Sequence, residues 1–66
     1  MSRIIYGVKW TRLDQSAEGW LPLRVEKKLL GPAEFDSREE AAYAARAEEL
    51  TGTGVYLYTP AALRKI

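Results

Sequence analysis

The chain has 66 residues, ten cationic and nine anionic, with no cysteine and no histidine, for a net charge of +1. That inventory excludes disulfides and thiolate metal sites, removes the usual zinc ligands, and gives no overall basic excess to draw in nucleic acid or a membrane surface. One domain, residues 1–66, is all this length supports; at this size about 60% of the unfolded chain's surface is buried on folding, so stability of a few kcal/mol is expected.

In chain order, the first predicted element is a strand from Arg3 to Thr11. Ile4, Tyr6, Val8 and Trp10 alternate with Arg3, Ile5, Gly7, Lys9 and Thr11, the period of a half-buried strand. Arg12 to Gly19 is polar and ends in glycine, as a hairpin loop does. The chain then returns through a second strand, Trp20 to Lys28, with Leu21, Leu23 and Val25 on one face and Trp20, Arg24, Glu26 and Lys28 on the other. Pro22 has no N–H for a ladder, which puts the start of this strand at an edge or a bulge. Leu29 to Phe35 reads either as a third short strand after a turn at Gly31-Pro32 or as a loop leading Phe35 to the helix.

The next element carries its own boundaries. Ser37 stands as an N-cap with Glu40 three residues on, a capping box, and Asp36, Glu39 and Glu40 place negative charge at the positive end of the helix dipole. Gly52 and Gly54 follow Leu50 and Thr51, where a left-handed glycine closes a helix. The prediction is a helix from Ser37 to Thr51, with Tyr43, Ala44, Ala47 and Leu50 on its apolar side and Arg38, Glu39, Arg46, Glu48 and Glu49 on its polar side. Alanine brings a helix close to its neighbour and buries little area, so a sheet must supply the larger groups. Val55 to Thr59 alternates again as the last strand, Val55 and Leu57 against Tyr56 and Tyr58. Thr59-Pro60 reads as a cap and first helical position, opening a short C-terminal turn that carries Leu63.

The fold class is therefore α+β: a small two-layer domain with an antiparallel sheet of three or four strands and one helix on one face, in the order β-β-(β)-α-β plus a short C-terminal helical turn. With the helix over Ile4, Tyr6, Val8, Trp10, Leu21, Leu23, Val25, Val55 and Leu57, the other face shows Arg3, Ile5, Lys9, Trp20, Arg24, Lys28, Tyr56 and Tyr58. Exposed patches of that kind mark binding surfaces. A shift of one residue in register exchanges the two faces.

The acid–base groups at hand are carboxylates, lysines and tyrosines. Helix capping accounts for Glu39-Glu40, solvation for Glu48-Glu49, and no base pairs with Asp14, Glu18 or Glu26. The Thr51-Gly-Thr-Gly-Val55 segment leaves a helix C-terminus, whereas phosphate-cradling loops enter an N-terminus. The expectation is a chain that is not an enzyme, with no catalytic residue, no metal and no cofactor. Charge is segregated: Asp36 to Thr51 holds five acids and two bases, the flanking segments together eight bases and four acids. No run approaches the ~20 apolar residues of a membrane span, and MSRIIYGVKW lacks the apolar segment of a signal peptide, which points to a cytoplasmic protein without a membrane partner.

The hairpin, capped Glu-Glu-Ala helix and following strand resemble the layout of partial RNase-H-type antitoxin domains. They are also similar to small phage and prophage accessory proteins. The matching residues are Ser37, Glu39, Glu40 and Ala41, with Gly19-Trp20 at the second strand. The Pro-Asp-Leu-Pro-Gly type segment of the antitoxin family is missing, and no functional residue carries over.

These readings converge on a non-enzymatic module that binds a larger protein as an inhibitor, adaptor or antitoxin-like regulator. Lys9, Trp20, Arg24, Lys28, Tyr56 and Tyr58 are its candidate contact residues, because interface centres favour tryptophan, tyrosine and arginine. The alternative partner is nucleic acid, stacked on the same aromatic and basic face. Self-association through the open sheet face or an edge strand is a third reading, compatible with both.

Overall fold

Strand β1, Ile4–Arg12, runs through the middle of the molecule and places every other element. The structure, a computed structural model, describes residues 2–52 and 54–66. On one edge β1 pairs antiparallel with β2 (Ala17–Trp20), Lys9 opposite Trp20 and Trp10 opposite Gly19. On the other it pairs antiparallel with the last strand, Tyr56–Lys65. Between these lie a hairpin of β3 (Pro22–Val25) and β4 (Lys28–Pro32), then α1 (Arg38–Thr51), which makes the last strand β5. One helix thus packs on a three-stranded sheet of order β2-β1-β5, and the β3-β4 hairpin forms a second sheet. The α+β class expected from the sequence is the one observed.

The long second strand expected over Trp20 to Lys28 is broken at Leu21. Leu21 N–H still donates to the Val8 carbonyl at 2.8 Å, but Pro22 has no N–H with which to continue, and the chain turns away. It comes back eleven residues later in register: Ala33 N–H donates to the Leu21 carbonyl at 2.9 Å, and Phe35 exchanges both backbone bonds with Tyr6 at 2.8 and 2.9 Å. The segment left open in the sequence is therefore strand only at Lys28–Pro32, and Phe35 forms a single bridge. Everything from Pro22 to Pro32 is an arm inserted into the edge of the sheet. Its tip is a two-residue turn with Glu26 at φ 50° and Lys27 at φ 69°, the left-handed pair of a primed hairpin turn.

Ser37 caps α1 as its sequence predicts, its Oγ accepting from Glu40 N–H at 3.1 Å. The other end differs. Gly52 is extended (φ −85°, ψ 177°), and the left-handed glycine is Gly54, φ 85°, beyond the helix. Thr51 Oγ1 instead donates to the Ala47 carbonyl at 3.1 Å, satisfying one of the last-turn acceptors.

The buried side of the helix is also turned from the expected one. Ala41 and Ala45 are buried, whereas Tyr43 is 68% and Leu50 80% exposed. Val8, with no exposed surface, lies beneath the two alanines, and Tyr6, Leu21, Phe35 and Tyr58 pack around it. Those large groups rise from the sheet and fill the layer, so only methyl groups fit on the helix side. Burying Val8 contributes about 2 kcal/mol.

In β5 the expected facing is reversed. Trp10 lies opposite Tyr58 and Arg12 opposite Tyr56, which puts both tyrosines on the helix side and Leu57, opposite Thr11, on the other. An alanine-faced helix leaves room that rings fill better than aliphatic side chains. Leu23 and Val25 lie on the arm, exposed, and not under the helix. The predicted C-terminal helical turn does not form, because β5 continues through Thr59-Pro60 to Lys65 with a bulge between Ile5 and Tyr6. Tyr6 and Val8 point their peptide groups at Phe35 and Leu21, so β1 bonds β5 through the alternate residues. Pro60, opposite Val8, therefore directs its missing N–H to the open edge, where it costs no ladder bond and blunts strand addition.

The face away from the helix is not bare. Ile5 and Gly7 are buried there, the Trp20 ring lying over Gly7, with a β-carbon on Gly7 coming within 3.1 Å of it. Arg64, opposite Ile5 on β5, reaches Glu34 on the far side of β1 at 2.8 Å. This exposed pair clasps the sheet across β1 for about 0–1 kcal/mol.

Candidate functional site

The six sequence-predicted contact residues separate in the fold. Lys9 and Trp20 sit opposite each other on the face away from the helix, Lys9 Nζ lying 3.4 Å from Glu18. Lys28 is on the arm, opposite Val25. Arg24, Tyr56 and Tyr58 come together on the helix side. There they line an open groove of about 330 Å3 with Trp10, Leu21, Pro22 and Glu48.

Each wall of the groove has a local cause. Trp10 and Tyr58 are cross-strand partners, and Tyr56 precedes Tyr58 by two residues on the same face. Trp10 and Tyr56 meet edge to face with ring centroids 5.6 Å apart, and Tyr56 and Tyr58 are tilted at 6.2 Å. Arg12 holds Asp14 through Nε at 2.7 Å, and its guanidinium carbon stands 5.7 Å from the centre of the Tyr56 ring. Leu21 and Pro22 mark the point where the chain leaves the sheet, and Arg24 follows on the arm. Glu48, in the last turns of α1, is half-buried on the rim.

Burial raises the Tyr58 phenol above its ordinary pKa, the Glu48 carboxylate and Tyr56 raise it further, and Arg24 opposes them. The groove presents three aromatic rings with two phenol hydroxyls, one guanidinium and one carboxylate. Such a surface offers ring faces and paired charge to a contact.

Trp10 and Glu48 lie outside the six contact residues named from the sequence. Glu48 follows Ala41, Ala44 and Ala45 at helical spacing, and that alanine phase, once recognised as the buried one, brings it to the rim. Gly19 is the corresponding signal for Trp10, being the small residue that lets the ring lie across the ladder. Among the described residues no group of three or more acidic, histidine or cysteine side chains is placed to hold a metal ion, and no helix is long and apolar enough to cross a membrane. The chain matches no protein-family model, no curated protein and no solved structure, so the chemistry of the groove alone carries its reading.

Proposed function

We propose that this chain is a non-enzymatic binding module that recognises a larger protein through the Trp10–Tyr56–Tyr58 groove, as an inhibitor, adaptor or antitoxin-like regulator. The observation that carries the reading is the convergence of three rings from two strands with one guanidinium and one carboxylate in an open groove. Aromatic and arginine side chains gathered at one place supply most of the energy of protein interfaces, and a rim carrying both charges selects a complementary partner. The nucleic-acid reading draws on the same rings with Arg12 and Arg24. Glu48 on the rim and the acidic helix behind it oppose a phosphate chain, which favours protein.

The test is affinity capture with the wild-type chain and with Arg24→Glu and Tyr56→Ser, each shown by circular dichroism to keep its fold. A partner identified by mass spectrometry should bind wild type and lose at least about tenfold in affinity for each variant. A partner held equally by all three would show that the groove is not the contact. Salt-sensitive binding of oligonucleotides, lost in Arg24→Glu, would move the assignment to nucleic acid.

A further inference from the structure

The β3-β4 arm leaves the body with its apolar groups uncovered. Leu23, Val25, Leu29 and Leu30 are all exposed, Leu29 at 65%. Arg24 stands opposite Leu29 and Val25 opposite Lys28, so apolar side chains occur on both faces of a two-stranded hairpin. A hairpin of two strands is marginal in water by itself. The radius of gyration, 12.1 Å, exceeds the about 11 Å of a compact chain of this length, and the longest extent is 40 Å. Accessible surface amounts to 5175 Å2, about 900 Å2 more than a folded monomer of this mass exposes. That excess is close to the roughly 800 Å2 each partner contributes to a stable interface of standard size.

Charge indicates what covers it. The arm holds Arg24, Glu26, Lys27 and Lys28, a net +2, and α1 holds Arg38, Glu39, Glu40, Arg46, Glu48 and Glu49, a net −2. The ion pairs among the described residues are Arg3–Asp36, Lys9–Glu18, Arg12–Asp14 and Arg64–Glu34, none of which involves either set. On α1, Glu39, Tyr43, Arg46 and Leu50 follow one another at i, i+4, i+7 and i+11, a single stripe facing away from the sheet. Glu39, Ala42, Tyr43 and Arg46 shape a shallow groove of about 270 Å3 there. Contact between two arms sets like charges together, as does contact between two helices. Arm against helix joins opposite charges and covers leucine with tyrosine and leucine.

We propose that the arm of one copy docks on the exposed face of α1 in a second copy, where Glu39, Glu40 and Glu49 outnumber Arg38 and Arg46, reciprocally, forming a two-fold dimer in which each chain gives one arm and one helix face. The contact is isologous, so both arms are covered at once. Arg24 and Glu48 also line the Trp10–Tyr56–Tyr58 groove, but Lys27, Lys28, Glu39 and Glu49 do not, so a chain that captures no other protein still dimerises this way.

Sedimentation equilibrium of the full chain at low salt, from micromolar to millimolar concentration, is expected to give twice the 7.5 kDa chain mass at the upper end. Lys27→Glu with Lys28→Glu reverses the arm, and Glu39→Lys with Glu49→Lys reverses the helix. Each double variant alone should dimerise at least tenfold more weakly than wild type, and an equimolar mixture of the two should recover the dimer, since each mixed contact again joins opposite charges. As a readout that needs no variant, zero-length carbodiimide cross-linking of wild type should join Lys27 or Lys28 to Glu39 or Glu49 between copies, in the dimer band alone. A wild-type mass that stays monomeric, a dimer indifferent to either reversal, a mixture that does not recover, or cross-links lying elsewhere would each overturn the proposal.

Discussion

Trp10 lies so close against Gly19, its partner across the β1-β2 ladder, that a β-carbon at position 19 would come 2.7 Å from the indole. The ring is thereby laid flat on the sheet as one floor of the groove, and its other side meets Tyr56. Gly19→Ala is expected to destabilise the fold by about 1–3 kcal/mol, the usual cost of overpacking, because the crowding atoms belong to a wide ring pinned by its neighbours. Urea unfolding followed by tryptophan fluorescence measures it. Gly7→Ala, where the contact with the Trp20 ring is 3.1 Å, should cost less.

The turned helix makes opposite forecasts for two residues that a helical wheel puts together. Ala45→Leu drives an extra isobutyl group into the layer over Val8 and should cost about 1–3 kcal/mol. Leu50→Ser removes an 80% exposed side chain and should stay within about 0.5 kcal/mol of wild type in dilute solution, where chains are separate. Thermal unfolding at micromolar concentration separates the two cases. A Leu50→Ser loss as large as that of Ala45→Leu would return Leu50 to the core.

Local chemistry was the legible part of this fold. The Ser37 cap, the facing of Tyr6 and Val8 and the unsuitability of Pro22 for a ladder all depend on a few adjacent residues, and all appear in the structure. What depended on distant packing was not legible. At the start of β5 Val55-Leu57 and Tyr56-Tyr58 alternate equally well in the sequence, and only the alanine surface of α1 decides that the rings turn inward. The wheel could not choose between Ala41-Ala45 and Tyr43-Leu50, because helix phase answers to what rises from the sheet. Of the candidate site, Arg24, Tyr56 and Tyr58 were legible as contact chemistry, but their company of Trp10 and Glu48 follows from that facing and phase.

Ser37→Ala removes the acceptor for Glu40 N–H and should cost about 0.5–2 kcal/mol, with Ser37→Asp restoring most of it. Far-ultraviolet dichroism during unfolding reports the loss. The effect tests whether the helix end is held by its own cap, because the side chain lies outside the Val8 cluster.

Tyr58 links the groove to pH. Its phenol holds the proton to higher pH in the folded chain than in the unfolded one, through burial first and Glu48 second. Between those two pKa values the unfolded state binds fewer protons, so the stability from this group is fully present below the ordinary tyrosine value near 10 and is lost as pH rises through the folded value. A tyrosinate absorbance titration should show one residue ionising late, Glu48→Gln should bring it down, and Arg24→Ala should raise it further. A Tyr58 titration unmoved by both variants would mean that neither charged side chain faces the ring.

The arm's tip sets a last expectation. Glu26 and Lys27 are ordinary residues held at positive φ, a left-handed backbone that costs non-glycine residues about 1–2 kcal/mol each. Asparagine tolerates that region far better, so Glu26→Asn should stabilise the arm by roughly 0.5–1 kcal/mol without touching the body. Because, among the described residues, the arm's backbone is tied to the sheet through the hydrogen bonds of Leu21 and Ala33, it opens as a local unit, and the gain should be confined to it. Amide hydrogen exchange is the discriminating measurement: bonded amides in β3 and β4 should slow several-fold, while those between β1 and β5 keep their rates. Slowing throughout the sheet would show that the arm and the body unfold together, and that the hairpin is held by the core and not by its turn.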